Sequence, residues 1–374
     1  MREGQGYIVR LLAAVLAVVW GASLLAALGA REGRTEYYDI QVAAAQQLER
    51  CFAAVHGYKE ELGIPTSGED LHGTGMIGES YTGITTTLGA IEAKRTTAWP
   101  DMGALCVRLL YEAGVRPGDT VGAGFSGSFP AMDLALVAAC EAMGVELVCI
   151  ASVGSSTYGA NNPGLTFPEM MDRLREDGLI QTPMAAVTMG GEKDVGEDMD
   201  PELSSQIRVR LQARGLSLLD QPDFAQNLAC RQNLYRQLGP IHCFVAVGGN
   251  VTSMGRGESG VSLGQGVLHP DRTPRLDDSS GLVQHYLAQG LPVINLLNIK
   301  KLTADYGLPY DPVEWPPIGQ SAIYHIIRYP RSWLIAGLGG AAALLLSCGL
   351  VRFRRGGGWR GQGKEWDGLC RKKA

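Results

Sequence analysis

The residues best suited to chemistry sit in short stretches rich in glycine and hydroxyl side chains. "GFSGSFP" (residues 124–130) places Ser126 and Ser128 among glycines, directly ahead of an apolar helical pattern. Three readings of it stand open. Gly124-Phe125-Ser126-Gly127-Ser128 resembles the small-x-Ser-x-small turn that exposes a nucleophile between a strand and a helix, with Ser128 replacing the last glycine. A serine nucleophile of that kind needs a later acid and a later histidine. Asp194, Asp198 and Asp200 follow, then His269 and His285, and His269 is the candidate base for Ser126. The second reading is an anion held by the amides that open the helix, with Ser128 as N-cap and Pro130 in the first turn. The third is a tight turn and nothing more, since turns use the same residues.

Two further stretches have this composition, "SVGSSTYGANNPG" (152–164) and "VGGNVTSMGRGESG" (247–260). Glycine lets a backbone approach a ligand, and Ser, Thr and Asn give hydrogen bonds without fixed charge. Gly124, Gly127, Ser128, Ser155, Asn161, Gly249 and Asn250 are therefore candidate ligand contacts. A fourth stretch, "ITTTLGAIEAKRTTAWPD" (84–101), adds Thr86, Lys94 and Arg95. These fit a clamp for carboxylate or phosphate, with the arginine fork suited to a bidentate contact. They equally fit a β-prone edge followed by a solvated charge pair. No Lys-[Ser/Thr] closes the 124–130 loop and no G-x-G-x-x-G spacing occurs there, so no nucleotide cofactor is expected. No C-x-x-C or Cys/His ligand spacing appears, and no metal site is expected.

The elements that must position these residues alternate. "DTVGAG", "VELVCIAS", "MAAVTMGG", "IHCFVAVGGN" and "LPVINLL" read as strands, and helical patterns separate them. That order predicts an α/β fold with a mainly parallel sheet and helices on both faces, whose ligand edge lies at the strands' carboxyl ends. An alanine-rich helix is expected over 38–62 and another over 99–114, ended by Gly114. Hydrophobic residues make up 45%, which argues against disorder, and a net charge of −5 excludes a basic nucleic-acid surface. Cys140, Cys149 and Cys243 fall in apolar patterns, so buried free thiols are expected, with room for one disulfide.

The ends differ from the middle. Residues 11–30 and 332–351 are uncharged runs long enough to span a bilayer, with a signal peptide as the rival reading of the first. The "GLGGAAA" portion of the second suits close helix contact in lipid. Arg352, Arg354, Arg355, Arg360, Lys364, Arg371, Lys372 and Lys373 follow it, and such a basic tail stays in the cytoplasm. The expected organisation is an N-terminal transmembrane anchor (1–30), an extracytoplasmic α/β domain (31–330), and a C-terminal transmembrane helix with a basic cytoplasmic tail (331–374).

Three of these stretches together, "ITTTLGAIEAKRTTAWPDMGALCVRLLYEAGV", "GFSGSFPAMDLALVAACEAMG" and "SVGSSTYGANNPGLTFPEM", resemble the poly-gamma-glutamate system protein family over roughly residues 76–172. The resemblance implies a two-pass protein of the bacterial cytoplasmic membrane, an accessory component in synthesis or export of this capsule exopolymer. Its implied partners are the lipid bilayer, other membrane subunits of the system and poly-gamma-glutamate or another anionic ligand. The competing expectation is a serine hydrolase acting on γ-glutamyl amide or other acyl substrates, with Ser126 as nucleophile.

Overall fold

The computed structural model describes residues 2–237, 239–257, 263–270 and 275–356. The tail from Arg360 onward, residues 258–260 of the third loop, and the side chains of Arg352, Arg354 and Arg355 lie outside the described residues. The chain divides into two units. One is Arg34–His325; the other joins the residues up to Gly33 with those from Ile326 onward.

The chain opens with α1 (Arg2–Leu28), followed by β1 (Arg31–Arg34). Within α1, Ile8–Leu28 has a mean hydropathy of 2.5 over 21 residues, long and apolar enough to cross a membrane. Leu12, Leu16, Trp20 and Leu28 are exposed along it. Water gives such a surface no partner, whereas hydrocarbon does.

The α/β domain starts with α2 (Tyr38–Glu61), which buries Ala44, Leu48, Cys51, Phe52 and Val55 along one stripe. Next come β2 (Thr85–Thr87), α3 (Ile91–Thr97) and α4 (Asp101–Glu112). Gly114, at φ 87°, turns the chain after α4. The repeating part runs β3 (Thr120–Ser126), α5 (Pro130–Met143), β4 (Glu146–Ser152), β5 (Ser155–Ser156), α6 (Phe167–Glu176) and β6 (Met184–Thr188). It continues through α7 (Pro201–Ala213), α8 (Phe224–Tyr235), β7 (Cys243–Val247), the short α9 (Val251–Met254) and β8 (Gly266–Leu268). It ends with α10 (Leu282–Ala288), β9 (Val293–Leu296) and α11 (Ile299–Asp305).

Six strands form one sheet in the order β6-β4-β3-β7-β9-β8, parallel except for the antiparallel β8. All seven residues of β3 are buried, as a central strand covered on both sides requires. Val121, Ala123 and Phe125 pack with residues of α2, α4, α5 and α6. Val148, Ile150, Phe244 and Ala246 pack with residues of α8 and α10. From β3 the chain builds outward through β4 and β6, then returns to build the other way through β7 and β9. The connections diverge between β3 and β7, and such a switch point opens a crevice at the strands' carboxyl ends. A separate parallel ladder joins β2 to β5, pairing Thr85 with Ser155 and Thr87 with Ser156.

Two local expectations change. Ser128 does not cap α5: the N-cap is Phe129, without a side-chain capping bond, and Ser128 Oγ instead accepts the Ser156 amide at 2.9 Å. Cys51, Cys106, Cys140, Cys149, Cys230 and Cys243 are all free, so no disulfide forms among the described residues. Burial pushes the Cys51 thiol up to about 12 and raises those of Cys106, Cys140, Cys149 and Cys243 as well.

The chain closes with β10 (His325–Arg328), paired with β1, and α12 (Arg331–Gly356). A Cβ on Gly337 would stand 2.4 Å from Ala22 Cβ, and one on Gly340 would stand 3.2 Å from Val18 Cγ1. These glycines let α12 lie against α1. As residue numbers rise along one helix they fall along the other, so the pair is antiparallel. Two flanking spans were expected. Among the described residues α1 alone has the length and hydropathy for one, and the apolar segment of α12, Arg331–Ser347, is shorter.

Candidate functional site

A cavity of about 680 Å³ lies at the carboxyl ends of β3, β4, β6, β7 and β9. The loops that follow these strands all contribute to it: Ser126 and Ser128, then Ser152 and Ser156, then Gly190 and Gly191, then Gly249 and Asn250, then Asn298 and Lys300. The three glycine- and hydroxyl-rich loops therefore meet at one site, and the 84–101 stretch adds Thr86, Gly89 and Lys94 to its wall.

Backbone contacts too close for side chains tie the loops together. A Cβ on Gly127 would sit 2.8 Å from the Val153 carbonyl and 3.0 Å from that of Gly154. Ser155 Oγ donates to the Gly127 carbonyl at 2.9 Å, and the Ala160 amide donates to the same carbonyl at 2.8 Å. Gly248, at φ 74°, brings the β7 loop against Ser126, whose Cβ would lie 3.1 Å from a Cβ placed there. On the far side, the Gly154 amide donates to the Met189 carbonyl at 2.8 Å, holding the β4 loop to the β6 loop.

Lys94 is the most unusual group in the wall. It is only 2% exposed, and its ammonium position lies 3.6 Å from the centre of the Phe129 ring. Nζ bonds to the Ser128 carbonyl and, at 2.7 Å, to Ser156 Oγ. Burial brings its pKa down to about 7, opposed in part by Asp133. Asp133, in the first turn of α5, is wholly buried, and neither carboxyl oxygen has a well-formed hydrogen bond. Burial raises its pKa well above the carboxylate range, offset in part by the Ser126 amide and by Lys94. Both groups are thus driven toward their neutral forms.

The other charges in the wall are mixed. Lys300 stands with Glu192 and Asp198, and Asp198 Oδ2 accepts the Glu192 amide at 2.6 Å. Asn250 caps α9 through Oδ1, which accepts the Ser253 amide at 2.8 Å, while its buried Nδ2 has no partner among the described residues. This arrangement can receive a ligand rich in carbonyl and carboxylate oxygens and can also meet a cationic group.

Several expected contacts lie elsewhere. Arg95 does not reach the cavity: its guanidinium grips Asp311 at 2.8 and 2.6 Å and Glu69 at 2.8 Å. That grip holds the loop carrying Tyr310, which does line the cavity. Ser155 is fully buried in hydrogen bonds to loop carbonyls. Asn161 ties Glu79 and Thr85 together through bonds of 2.8 to 3.0 Å. Gly124 lies within β3, where a Cβ would meet Ser253 Oγ at 2.4 Å. It serves packing there.

The triad around Ser126 does not assemble. His269 lines a different pocket, with Arg108, Glu112 and Tyr306, and His285 lines a third, with Phe224 and Asp277. Asp194 is locked to Arg231 at 2.6 Å, and Asp200 caps α7. Ser126 Oγ accepts the Ser128 amide at 3.3 Å and has no base beside it.

Sequence reasoning missed the loops after β6 and β9 as cavity walls; they bring Gly190, Gly191, Glu192, Asn298 and Lys300, together with Asp198, which the sequence offered only as a triad acid. The rule that singled out the other three loops applies to these two as well, because each follows a parallel strand. It missed Ser156 too, which faces the cavity where Ser155 does not. No family model, curated protein or solved structure matches the chain.

Proposed function

We propose that this protein is a membrane-anchored accessory component of poly-gamma-glutamate synthesis or export, whose α/β domain takes the polymer or a partner subunit's acidic segment into the cavity. One observation carries the reading. The three stretches that resemble the family, 84–115, 124–144 and 152–170, each contribute residues to one cavity. Its hydroxyls, the Asn250 amide and Lys300 supply donors for carboxylates along a γ-linked chain. Glu192 and Asp198 supply partners for the free amino group at such a chain's end.

In this reading α12 is a second span. Trp333, Leu334, Ile335, Leu338 and Leu346 are exposed along it, as the apolar residues of α1 are. With both helices crossing, the basic tail holds the ends in the cytoplasm and the α/β domain lies on the outer face. Protease added to intact cells then cleaves within 34–325 and spares the tail.

Calorimetric titration of the full chain in detergent with γ-glutamyl oligomers tests the binding. Saturable binding that weakens about tenfold or more in Lys300→Glu is expected, since the substitution turns an attractive charge repulsive. Deleting the protein from a producing cell is expected to lower polymer yield. Absence of binding together with an unchanged yield would defeat the assignment.

A further inference from the structure

We propose that Ser156 and Lys94 form a nucleophile–base pair that opens carboxylic esters or amides held in the cavity. The inference goes beyond binding of the polymer and holds for any acyl ligand that fits the site. Ser156 Oγ stands 2.7 Å from Lys94 Nζ, within proton-transfer reach, and both residues line the cavity. The second bond of Nζ, to the Ser128 carbonyl, fixes its position. With the amine neutral, one N–H serves that carbonyl and the lone pair accepts the Ser156 hydroxyl.

Burial favours the neutral amine, against the Phe129 ring face and the Ser128 carbonyl, which favour the ammonium. The groups facing Nζ are the Ser128 carbonyl, the Ser156 hydroxyl and the Phe129 ring. None is anionic, and Lys94 makes no ion pair among the described residues. Asp133 is the nearby carboxyl, and burial drives it toward its own neutral form. A desolvated lysine without a counter-ion is the form of lysine that acts as a base.

Two more features fit a nucleophile. The Ser156 backbone is held through its amide by Ser128 Oγ at 2.9 Å and by pairing of β5 with β2, so the hydroxyl is positioned by fixed elements. Residue 89, which lines the cavity beside the pair, must be glycine. A Cβ there would lie 2.8 Å from Ser156 Oγ and 3.1 Å from Lys94 Cε. Ser126, in the turn with the nucleophile-like sequence, also lines the cavity, but its hydroxyl accepts the Ser128 amide at 3.3 Å and makes no bond to Lys94.

The step balances as follows. Ser156 Oγ adds to the carbonyl carbon while its proton passes to Lys94 Nζ. The tetrahedral intermediate collapses, the bond to the alkoxy or amino leaving group breaks, and the Lys94 ammonium returns the proton to that group. Water then gives a proton to Lys94 and adds to the Ser156 ester. Collapse releases the carboxylic acid, and the proton goes back to Ser156 Oγ.

The test uses the full chain in detergent and two probes, a fluorophosphonate and p-nitrophenyl acetate. Mass spectrometry of peptides locates the phosphonyl adduct. The expected adduct is on Ser156, forming at a rate that rises through about pH 7 as the amine loses its proton. Ser156→Ala and Lys94→Met are each expected to lower the rate about 100-fold or more. An adduct on Ser126 in place of Ser156, or no adduct on folded protein, overturns the proposal. So does a Lys94→Met rate within about threefold of the native rate, since a base contributes far more. Should Lys94→Met fail to fold, the native pH profile still decides, because a flat rate from about pH 6 to about pH 9 rules out a base titrating in that range. Labelling of Ser156 in a protein that binds no γ-glutamyl oligomer and whose deletion leaves polymer yield unchanged supports the pair and overturns the proposed function instead.

Discussion

Lys94 and Arg95 are neighbours in sequence with opposite fates. One step along α3 turns a side chain by about 100°, enough to move it from the sealed wall of the cavity to the outer surface. Arg95 finds two carboxylates in water and Lys94 finds none. The cost of burying Lys94 has a measurable signature. Its pKa falls from 10.5 to about 7 on folding, so between those values the unfolded chain binds the extra proton. Stability therefore rises with pH across that window, by at most about 1.4 kcal/mol per pH unit for one proton. Below about pH 7 both states are protonated and the penalty is paid in full. Lys94→Met should flatten this rise, and urea unfolding at several pH values checks it. The sequence marked the pair as chemically interesting but left their phase open, because a seven-residue helix holds too few apolar positions to fix which face is inward. Ser155 and Ser156 pose the same problem: neighbours on a two-residue strand point to opposite sides, and nothing in the sequence says which side is the cavity.

At the scale of elements, the longer pieces were legible and the shorter ones were not. β3, β4, β6, β7 and β9 are mainly apolar runs with glycine or proline nearby, and α2, α4, α5 and α8 carry clear helical patterns. β2, β5, β8 and β10 span two to four residues, too few to show a period. They pair only because the tertiary fold brings them together. The convergence of the loops follows from strand order, so it was legible as soon as the strands were. The crossing at Gly127 is where that convergence is tightest. Gly127→Ala would push a methyl group into two backbone carbonyls that cannot rotate away, and a loss of about 1–3 kcal/mol is expected in chemical denaturation. A second weak point joins α8 to the loop after β6. Arg231 and Asp194, 2% and 3% exposed in their side chains, pair at 2.6 Å, with Thr188 and Asn227 completing the network. Arg231→Met removes the partner of a buried carboxylate and should cost about 3–5 kcal/mol. The double variant Arg231→Met/Asp194→Leu should recover much of that loss, because no charge is then stranded.

At the scale of the whole molecule, the two apolar helices were plain in composition, and the small-residue stretch read as a contact surface does serve as one. Gly337→Leu would drive a branched side chain into Ala22 and separate α12 from α1. Cysteines placed at positions 18 and 340 test this, with cross-linking expected in the parent chain and lost in the Gly337→Leu background. The pairing of β1 with β10 has a separate consequence. Neighbouring strands lie about 5 Å apart, so the α/β domain begins and finishes at one spot. Topologically it is a cassette slotted into a hairpin. A short linker from His325 to Arg34 would close that gap, and new ends could be cut in the exposed turn at Leu62–Gly63. The circular permutant would keep every strand of the six-stranded sheet and carry the cavity without the two apolar helices.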